Sequence, residues 1–463
     1  MAAPLFSIVT PVYKTPADVL RVMLRSVADQ TFTDWEHCLV DDGTADAVPH
    51  IRKILDEAAA ADPRVRVEYR HENGGIVHAS NDALAMARGE FIALLDHDDE
   101  LEPHALERVA AAIAGADDVD YVYTDEDKID EHGSCSAPFF KPDWSPERFR
   151  TQMYTCHLSA LRRTLVEEVG GFHADFNGSQ DWDLVLRVTE KARRIAHVPE
   201  VLYHWRMLVS SAASSPEAKP WAYEAGTRAI QAHCDRTGFE ALAEQESPGH
   251  YHLVPRLTTQ PLVSIVVPTG GQMRDVRGEH AVLVEQAVES IVKTSTYENV
   301  EILCVVDEKV PQAVLDRLLD LGGDRLRLVS CNRPFNFSER INFGALAARG
   351  EHLLVLNDDV EVVTPTWIER LIMYSQVPEI GAVGARLLFG DGRLQHAGIV
   401  VSQHQGPSHV YRGFPGSHPG YYGMLLSASN WQAVTGACLM TRRELFEKVG
   451  GLSTLFPLNY NDV

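Results

Sequence analysis

An internal repeat constrains the fold of this chain more than any other feature of its sequence. Segment 81–101, NDALAMARGEFIALLDHDDEL, returns at 342–362 as NFGALAARGEHLLVLNDDVEV, an offset of 261 residues (342 − 81). Two further blocks return in the same order: LFSIVTPVY at 5–13 as LVSIVVPTG at 262–270, and RRTLVEEVGGF at 162–172 as RRELFEKVGGL at 442–452. Three matches in one order indicate that a whole domain is duplicated.

The length of the chain fits this interpretation, because 463 residues exceed what one hydrophobic core usually supports. A small-residue stretch at 210–220, SSAASSPEAKP, and the helical spacing after it indicate a joining region. We therefore predict a first domain at residues 1–212, a helical linker at 213–260 and a second domain at 261–463. The second copy stops at its ND, where the first copy continues, so we expect the second domain to be truncated at its C-terminal end.

Strand and helix patterns alternate in each copy. In the first copy, SIVTPVY and Phe91–Leu95 indicate buried strands, and Ala79–Ala87 has helical periodicity. This order predicts an α/β fold with a Rossmann-like, mostly parallel mixed sheet and helices on both faces. Ligands of such sheets bind beyond the carboxyl ends of the strands. Because Pro11–Tyr13, Asp41–Asp42 and Asp96–Asp99 follow three predicted strands, we expect them to share one site.

Four carboxylates stand together after the fourth predicted strand, in LLDHDDE. Asp96 and Asp98 alternate along an extended chain and so point to one side. Their oxygens suit Mn²⁺ or Mg²⁺, which would offset the repulsion and bridge to a diphosphate. Asp99 and Glu100 are interpreted as flanking, partly solvated acids. A lone acidic turn is more often inert, but the second copy carries Asn357–Asp358–Asp359 at the same place, which favours the functional interpretation.

Three further side chains have both a functional and a structural interpretation. Asp181, in GSQDWDLVLRV, belongs to the first turn of a predicted helix, where a carboxylate is either a helix acid or a general base. Trp182 beside it either offers a flat face to a sugar ring or packs in the core. His204, in LYHWR, is either a third metal ligand or a structural histidine. The residues alone leave these alternatives open.

Charge and composition exclude some classes of partner. A formal net charge of −23 argues against DNA or RNA, whose phosphates require a basic surface. No apolar stretch is long enough to span a membrane, the N-terminus has no signal-peptide pattern, and the seven cysteines form no CxxC pair. We therefore expect a cytoplasmic protein, and peripheral association with the inner face of the cell membrane is compatible with the sequence.

In combination, these motifs resemble those of inverting family 2 glycosyltransferases with the GT-A fold. The resemblance rests on VDDGT after the second strand, the DxD after ARGEFIALL, the VGGF loop, the QDWDL helix and the following HWR, with most of these repeated in the second half. The chain as a whole is similar to tandem-domain bacterial glycosyltransferases that build cell-surface polysaccharides such as O-antigen or rhamnose-containing chains. The resemblance therefore implies two tandem GT-A domains.

The family's roles carry over to matching positions of the first copy. The residues expected to bind the nucleotide sugar are Pro11, Tyr13, Asp42 and Asp96, the last of which approaches the ribose or the metal. The residues expected to bind the acceptor are Gly170, Gly171 and Trp182. Asp98 is the expected direct metal ligand and His204 reaches the metal or the diphosphate, while Asp181 is the expected catalytic base.

The second copy has a partial set of counterparts. They are Asp307 and Asn357 for the nucleotide sugar, Gly436 for the acceptor, Asp359 for the metal and Asp462 as the catalytic base. Asn357 replaces Asp96, which weakens the expected metal site, and the copy ends before any counterpart of His204. We therefore expect the second domain to bind a donor poorly or to be inactive. Segments 123–130 and 138–147 receive no firm role, and a loop over the site is expected.

The resemblance implies metal-dependent transfer of a sugar, with inversion, from a UDP-, dTDP- or GDP-linked donor to a hydroxyl of a growing glycan or a lipid-linked glycan. Two alternatives from other classes are kept. A nucleotidyltransferase on a similar sheet usually carries a glycine- and lysine-rich phosphate loop, and SIVTPVYKTPADV contains none. The other alternative is a scaffold that binds nucleotide sugar or glycan with one or both halves inactive, for which the second copy is the candidate.

Overall fold

The computed structural model describes residues 3–44, 48–207, 220–276, 278–404 and 406–456, which fold into two compact units. Their segments are Met1–Phe239, Ala243–Leu253 and Tyr422–Asn430 for the first unit, and Glu240–Leu242, Val254–Tyr421 and Trp431–Val463 for the second. The first unit therefore takes in the helical part of the predicted linker and a short segment from much later in the chain. Among the helices of the described residues, none has both the length and the apolar character needed to cross a membrane.

A nine-stranded sheet forms the centre of the first unit. Its strands are β1 (Phe6–Val12), β2 (Trp35–Asp41), β3 (Val65–Tyr69), β4 (Phe91–Leu94), β5 (Glu100–Leu101), β6 (Val119–Ile129), β7 (Cys135–Phe139), β8 (Ser159–Arg162) and β9 (Arg194–Arg206). They run in the order β3-β2-β1-β4-β8-β6-β9-β5, with β7 paired to β6. β1 is parallel to β2 and β4, whereas β8 is antiparallel to β4 and β6. The carboxyl ends of the parallel strands therefore open at one edge of the sheet.

Amphipathic helices connect these strands. They are α1 (Ala17–Ala28), α2 (Pro49–Ala61), α3 (Ile76–Met86), α4 (Ala105–Ala114), α5 (Pro146–Phe149), α6 (Arg163–Glu168), α7 (Gln180–Thr189) and α8 (Pro220–Thr237). A hairpin of β10 (Ala241–Ser247) and β11 (His250–Pro255) follows α8. In α1, Leu20, Met23 and Val27 recur at helical spacing and share one buried core with Ile8 and Leu39 of the sheet. This apolar stripe explains why the segment folds as a helix against the sheet.

The second unit repeats this arrangement. Its strands are β12 (Val263–Pro268), β13 (Met273–Val276), β14 (Glu279–Val282), β15 (Val300–Val306), β16 (Leu326–Ser330), β17 (His352–Leu356), β18 (Val383–Gly384), β19 (Leu387–Leu388), β20 (Leu394–His396), β21 (Ile399–Ser402), β22 (Gly406–His409) and β23 (Cys438–Arg442). Its helices are α9 (Leu283–Thr294), α10 (Gln312–Gly322), α11 (Phe337–Ala347), α12 (Trp367–Ser375) and α13 (Arg443–Lys448). The main sheet has the order β16-β15-β12-β17-β23-β18, which matches β3-β2-β1-β4-β8-β6 strand for strand.

The register of the strands is kept between the two units. Phe91 lies opposite Arg162 in the first unit, and His352 lies opposite Arg442 in the second. Since Phe91 and His352 are related by the same offset of 261 residues (352 − 91), the sequence repeat and the structural repeat coincide. The predicted duplication and the mostly parallel mixed sheet are therefore confirmed.

Both faces of the second sheet are covered by helices. On β12, Ile265 and Val267 belong to a core formed with α9, α10 and α12, whereas Val266 between them belongs to a core formed with α11 and α13. Alternate residues of a strand point to opposite faces. Burial on both faces explains why the strand reads as a continuous apolar run in the sequence.

A buried carboxylate fixes the repeated ARGE motif in the first unit. Glu36 accepts hydrogen bonds from Ser7 Oγ (2.7 Å), Arg88 Nη2 (2.6 Å) and the backbone N–H of Arg88 (2.6 Å). Ser7 Oγ in turn accepts from the N–H of Gly89 at 2.8 Å, and a Cβ on this glycine would lie 2.5 Å from Ser7 N. The motif that carried part of the resemblance therefore has a structural role.

The equivalent carboxylate of the second unit leads to a prediction about stability and pH. Glu301 accepts hydrogen bonds from Ser264 Oγ (2.6 Å), Arg327 Nη2 (2.7 Å) and Arg349 Nε (3.0 Å). Burial alone would raise the pKa of Glu301, but these bonds lower it to about 2. Because this lies below the unfolded-state pKa, the stabilisation is complete above that value and is lost as the pH falls toward the folded-state pKa.

We therefore expect Glu301→Gln to lower the free energy of unfolding by roughly 2 kcal/mol at neutral pH, and by progressively less below about pH 4. Urea unfolding at several pH values measures this difference, with Glu298→Gln, at an exposed position, as the control. An equal loss at every pH would show that the charge of Glu301 is not what stabilises the second unit.

Candidate functional site

The carboxyl ends of β1 and β4 open into a cleft of the first unit. Three of the predicted site residues, Pro11, Asp96 and Asp181, line this cleft together. The other lining residues are Val9, Ile76, Ser80, Leu94, Leu95, Met153, Cys156, His157, Ser159, Phe172, Gln180 and Val185. The cleft thus combines apolar walls with a few charged and polar groups, as binding sites for small molecules usually do.

The acids that follow β4 have different surroundings. Asp99 is 1% exposed and accepts hydrogen bonds from Tyr203 Oη (2.5 Å) and from the backbone N–H of Arg206 (2.7 Å). Burial, together with the charge of Asp96, raises the pKa of Asp99 to about 8. Glu100 pairs with the Arg206 guanidinium. The expectation that Asp99 is a partly solvated flanking acid is therefore wrong, because its carboxyl group ties the acidic loop to β9.

Asp96 and Asp98 are partly open to solvent, as is Glu100, but Glu100 is paired with Arg206. The side chains of Asp96 and Asp98 are 47% and 20% exposed. Burial raises the pKa of Asp98, and the charge of Asp96 acts in the same direction. The Asp98 carbonyl accepts a hydrogen bond from Arg206 Nε at 2.9 Å, which holds the turn in place. Two carboxylates that repel each other at an accessible turn fit a hard divalent cation.

A histidine that the sequence interpretation missed stands beside Asp96. His157 Nε2 lies 3.9 Å from Asp96 Oδ2, and the ring stacks on Tyr203 with centroids 4.6 Å apart. Its Nδ1 lies 3.4 Å from Glu126 Oε2. Burial alone would lower the pKa of His157, but the interactions with Glu126 and with the aspartates raise it to about 9. The available signal was its place five residues before Arg162 of a repeated block, where the second copy has Ala437.

A buried ion pair supports the histidine from behind. The Lys141 ammonium donates to Glu126 Oε2 (3.0 Å) and to the carbonyl oxygens of Thr155 (2.6 Å) and His157 (2.6 Å). Burial would raise the pKa of Glu126, but Lys141 and His157 lower it to about 2. Glu126 belongs to segment 123–130 and Lys141 to segment 138–147. We expected these segments to form a loop over the site. Instead, Glu126 and Lys141 lie behind His157 and support this part of the cleft wall.

Asp181 is the second residue of α7 and faces the same cleft. Burial raises the pKa of its carboxyl group, while the backbone N–H of Trp182 and the charge of His157 act in the opposite direction. A carboxylate with a raised pKa accepts a proton more readily than an exposed one. Its position and basicity are therefore suited to deprotonating a hydroxyl group bound in the cleft.

The remaining residues expected to bind the nucleotide lie near the end of β2. The Asp42 carboxylate accepts hydrogen bonds from the backbone N–H groups of Gly74 and Gly75 and from Asn73 Nδ2, at 2.8 to 2.9 Å. The Arg70 guanidinium lies 3.1 Å away. Asp42 thus shapes the loop before α3, and its predicted contact with the base stays a prediction. Tyr13 is 40% exposed, and Lys14 Nζ lies over its ring, 4.9 Å from the ring centre.

The double-glycine loop has a packing role that the sequence interpretation did not foresee. Gly170 and Gly171 both have positive φ, and a Cβ on Gly171 would lie 2.7 Å from Asn81 Oδ1. The Asn81 amide exchanges two hydrogen bonds of 2.9 Å with the backbone of Phe172. The same arrangement occurs in the second unit, and an acceptor-binding role for the glycines stays a prediction.

Trp182 does not lie where an acceptor-binding residue is expected. Its side chain is buried, with 3% exposed, and its Nε1–H donates to the carbonyl oxygen of Phe149 at 3.0 Å. Rings of Phe149 and Tyr251 pack against it. The indole therefore has no open face for a sugar, and the core-packing interpretation of Trp182 is the correct one.

Two groups of described side chains offer potential metal ligands within 4.8 Å of one another: Asp96 with Asp99 and His157, and Asp127 with Cys135 and His204. His204 Nδ1 lies 2.6 Å from Asp127 Oδ1, and its Nε2 lies 3.2 Å from Glu102 Oε1. Asp98 belongs to neither group. Within the described part of the chain, the two predicted metal ligands Asp98 and His204 are therefore not brought together in one such group.

Both halves of the chain match the sequence profile of one protein family, described as Glycosyl transferase family 2, over residues 7–170 and 264–450. The chain belongs to glycosyl transferase family 2. The two matches confirm the tandem arrangement of GT-A units, and the nucleotidyltransferase alternative is set aside.

The family 2 chain has similar relatives of greater length. It is 41% identical to the uncharacterized protein y4gI of Sinorhizobium fredii (strain NBRC 101917 / NGR234), over 97% of this chain and 49% of the relative. It is 38% identical to the O-antigen biosynthesis protein RfbC of Myxococcus xanthus, over 99% of this chain and 35% of the relative. The chain thus spans about half the length of the first relative and less of the second. Residues 1-349 of TarS from S. aureus align with a TM-score of 0.39 at 22% identity, over 50% of this chain and 65% of that one.

The second family 2 unit keeps the acid after its second strand. Asp307 pairs with Arg340 of α11 at 2.5 Å, whereas Asp42 pairs with Arg70, which follows β3. Burial raises the pKa of Asp307, but the bond to Arg340 and the backbone bond from Lys309 lower it overall. Both units therefore keep an acid paired with an arginine at this place, but the arginine comes from a different element in each.

The end of the fourth strand differs in the second unit. The N–H of Asn357 donates to the carbonyl oxygen of Ala437 at 3.0 Å, and Asp359 is exposed. Gly436 is buried, and the predicted base Asp462 lies outside the described residues. At the place where the first unit has a carboxylate and an imidazole, the second has an amide and a methyl group.

Proposed function

We propose that the first unit transfers a sugar from a nucleotide-diphosphate sugar to a hydroxyl of a growing glycan or a lipid-linked glycan, with inversion at the anomeric carbon. The observation that carries this proposal is that Asp96 and Asp181 line one cleft at the carboxyl ends of the strands. We assign one carboxylate to the donor and the other to the acceptor. Membership of family 2 supports the reaction class, and the relative with a role in O-antigen biosynthesis supports a surface polysaccharide as the product.

The donor is proposed to lie along the strand ends, with Pro11, Tyr13 and Asp42 near the base and with Asp96 near the ribose or the metal, beside the diphosphate. Asp98 would be the direct ligand of Mn²⁺ or Mg²⁺, with Asp359 as its weaker counterpart in the second unit. His204 is proposed to reach the metal or the diphosphate, although the structure groups it with Asp127 and Cys135 rather than with Asp98. Such a cation, when bound, offsets the charge of the diphosphate. Burial, with a smaller contribution from the charge of Asp96, raises the pKa of Asp98, and a bound cation would offset both effects, which supports this assignment.

Asp181 is proposed to act as the general base. The acceptor oxygen forms a bond to the anomeric carbon, its proton passes to the Asp181 carboxylate, and the bond from that carbon to the diphosphate oxygen breaks with its electron pair. Because the acceptor approaches from the face opposite the leaving diphosphate, the configuration inverts. Holding both substrates in the cleft would supply a large part of the acceleration.

The second unit is proposed to bind a nucleotide sugar or a glycan without efficient turnover. Asn357 stands where the first unit has Asp96, and an amide is a weaker partner for a divalent cation than a carboxylate. Gly436 and Asp462 remain its candidate acceptor and base positions. The protein would act in the cytoplasm, with its lipid-linked acceptor at the inner face of the membrane.

Calorimetric titration of the whole chain with UDP-, dTDP- and GDP-linked sugars, with and without Mn²⁺, tests the donor assignment. We expect one class of donor to bind in a Mn²⁺-dependent manner, with a stoichiometry near one because the second unit contributes little. No metal-dependent binding of any donor would overturn the proposed function.

A further inference from the structure

The cleft contains a functional group that the proposed transfer leaves without a role. His157 lines the cleft together with Asp96 and Asp181, and its side chain is 21% exposed. Its Nε2 points toward Asp96, on the side assigned to the donor. A histidine kept only for packing does not need its polar edge at the mouth of a site between two carboxylates.

The ring is held in one orientation from three directions. Glu126 Oε2 lies 3.4 Å from Nδ1 and accepts the backbone N–H of the same histidine at 2.9 Å. Lys141, whose side chain is fully buried, binds both Glu126 and the carbonyl oxygen of His157. The ring of Tyr203 stacks on the imidazole at an angle of 15°. These contacts leave Nε2 as the edge of the ring that is turned toward Asp96, another residue that lines the cleft.

We propose that His157 is a further catalytic residue of the first unit, whose Nε2–H donates a hydrogen bond to the diphosphate of the nucleotide sugar and stabilises it as it leaves. The proposal rests on the proposed function, because it places the donor diphosphate beside Asp96. A fixed donor that points to where negative charge develops needs no reorganisation during the reaction. Glu126 and Lys141 are positioning residues in this arrangement.

The second unit offers an internal comparison. The shared register that pairs Phe91 with Arg162 and His352 with Arg442 puts Ala437 at the place of His157. Asn357, which replaces Asp96, donates its N–H to the carbonyl oxygen of this alanine. The carboxylate and the imidazole are therefore replaced together, which is expected if they serve the same ligand.

Nucleotide binding tests the proposal without knowledge of the acceptor. UDP, dTDP and GDP are titrated into the whole chain with Mn²⁺, in parallel with the corresponding monophosphates, which lack the β-phosphate. We expect His157→Leu to weaken binding of the preferred diphosphate by about tenfold and to leave the monophosphate unchanged, and His157→Gln, which keeps a donor, to weaken it less. Turnover of the matching nucleotide sugar should fall by about 10²-fold in His157→Leu, the size seen when one such donor is removed.

His197→Leu is the matched control. His197 also stacks on a tyrosine, Tyr123, at 4.7 Å and lies between two carboxylates, with Nε2 2.9 Å from Asp125, but it does not line the cleft. His197→Leu should lower thermal stability but should not change the ratio of the affinities for the diphosphate and the monophosphate. Equal diphosphate affinity in the wild type and His157→Leu, or an equal loss for both nucleotides, would overturn the role of His157 alone. A wild-type chain that binds none of the nucleotides would overturn this role and the proposed function together.

Discussion

Replacing Asp181 with asparagine is expected to lower the turnover of the nucleotide sugar by at least about 10²-fold while leaving its dissociation constant close to that of the wild type. The amide keeps the size of the side chain but cannot accept the proton of the acceptor hydroxyl. Because burial raises the pKa of Asp181, its carboxylate is a stronger base than an exposed aspartate, so its removal should be correspondingly costly. Release of nucleoside diphosphate measures turnover, and calorimetry measures binding.

Asp175→Asn is the control for this substitution. Asp175 is an exposed acid six residues earlier in the chain and does not line the cleft, so its replacement should leave turnover unchanged. Normal turnover in Asp181→Asn would exclude the base role. Loss of donor binding together with turnover would show instead that Asp181 holds the donor.

Replacing Asp98 with asparagine is expected to weaken Mn²⁺-dependent donor binding by at least about 10²-fold, because even groups that only support a metal ligand commonly change affinity by 10- to 100-fold. The equivalent change in the second unit, Asp359→Asn, should have a much smaller effect, since Asn357 already stands beside it. Titration of both variants with the same donor and increasing Mn²⁺ measures the difference. A larger loss in Asp359→Asn than in Asp98→Asn would place the main donor site in the second unit.

The sequence predicts the architecture well because the same pattern occurs twice in the same order, which is unlikely to happen by chance. Two copies of a strand followed by acids are hard to explain except by a duplicated sheet with a shared functional edge, and the order of strands agrees. The joint position of Pro11 and Asp96 in one cleft also follows from this logic, since both were expected at strand ends, whereas Asp181 was expected in the first turn of a helix and reaches the same cleft from α7. Residues that directly follow strands of a parallel sheet are brought together by topology alone.

The surroundings of each side chain could not be predicted in the same way. Trp182 and Asp181 are neighbours in sequence, yet one is buried in the core and the other faces the cleft, because a helix turns successive residues about its axis. Asp99 is buried because β9 brings Tyr203 and Arg206 against it, a contact that spans more than 100 residues. His157 escaped notice because a single histidine has no local signature, and only its alanine counterpart in the second copy distinguishes it.

The assignment of residues 422–430 to the first unit also depends on contacts between residues that are distant in the sequence. The ring of Tyr422 stacks on Phe139 with centroids 4.0 Å apart, and Asn430 exchanges hydrogen bonds of 2.9 and 3.0 Å with Ser145. No local pattern of the segment indicates these partners, which lie nearly 300 residues earlier. A first unit prepared from residues 1–260 would lack them, and functional experiments are therefore best made on the whole chain.

Crystals of the whole chain soaked with Mn²⁺ and the donor that binds provide the most direct test of the central claim, which is that sugar transfer takes place in the cleft of the first unit. Anomalous scattering locates the ion, and difference density locates the nucleotide. We predict manganese at Asp98, the diphosphate beside Asp96 and the sugar facing Asp181. A donor bound with its metal in the second unit, or in the first unit with its sugar remote from Asp181, would contradict this account.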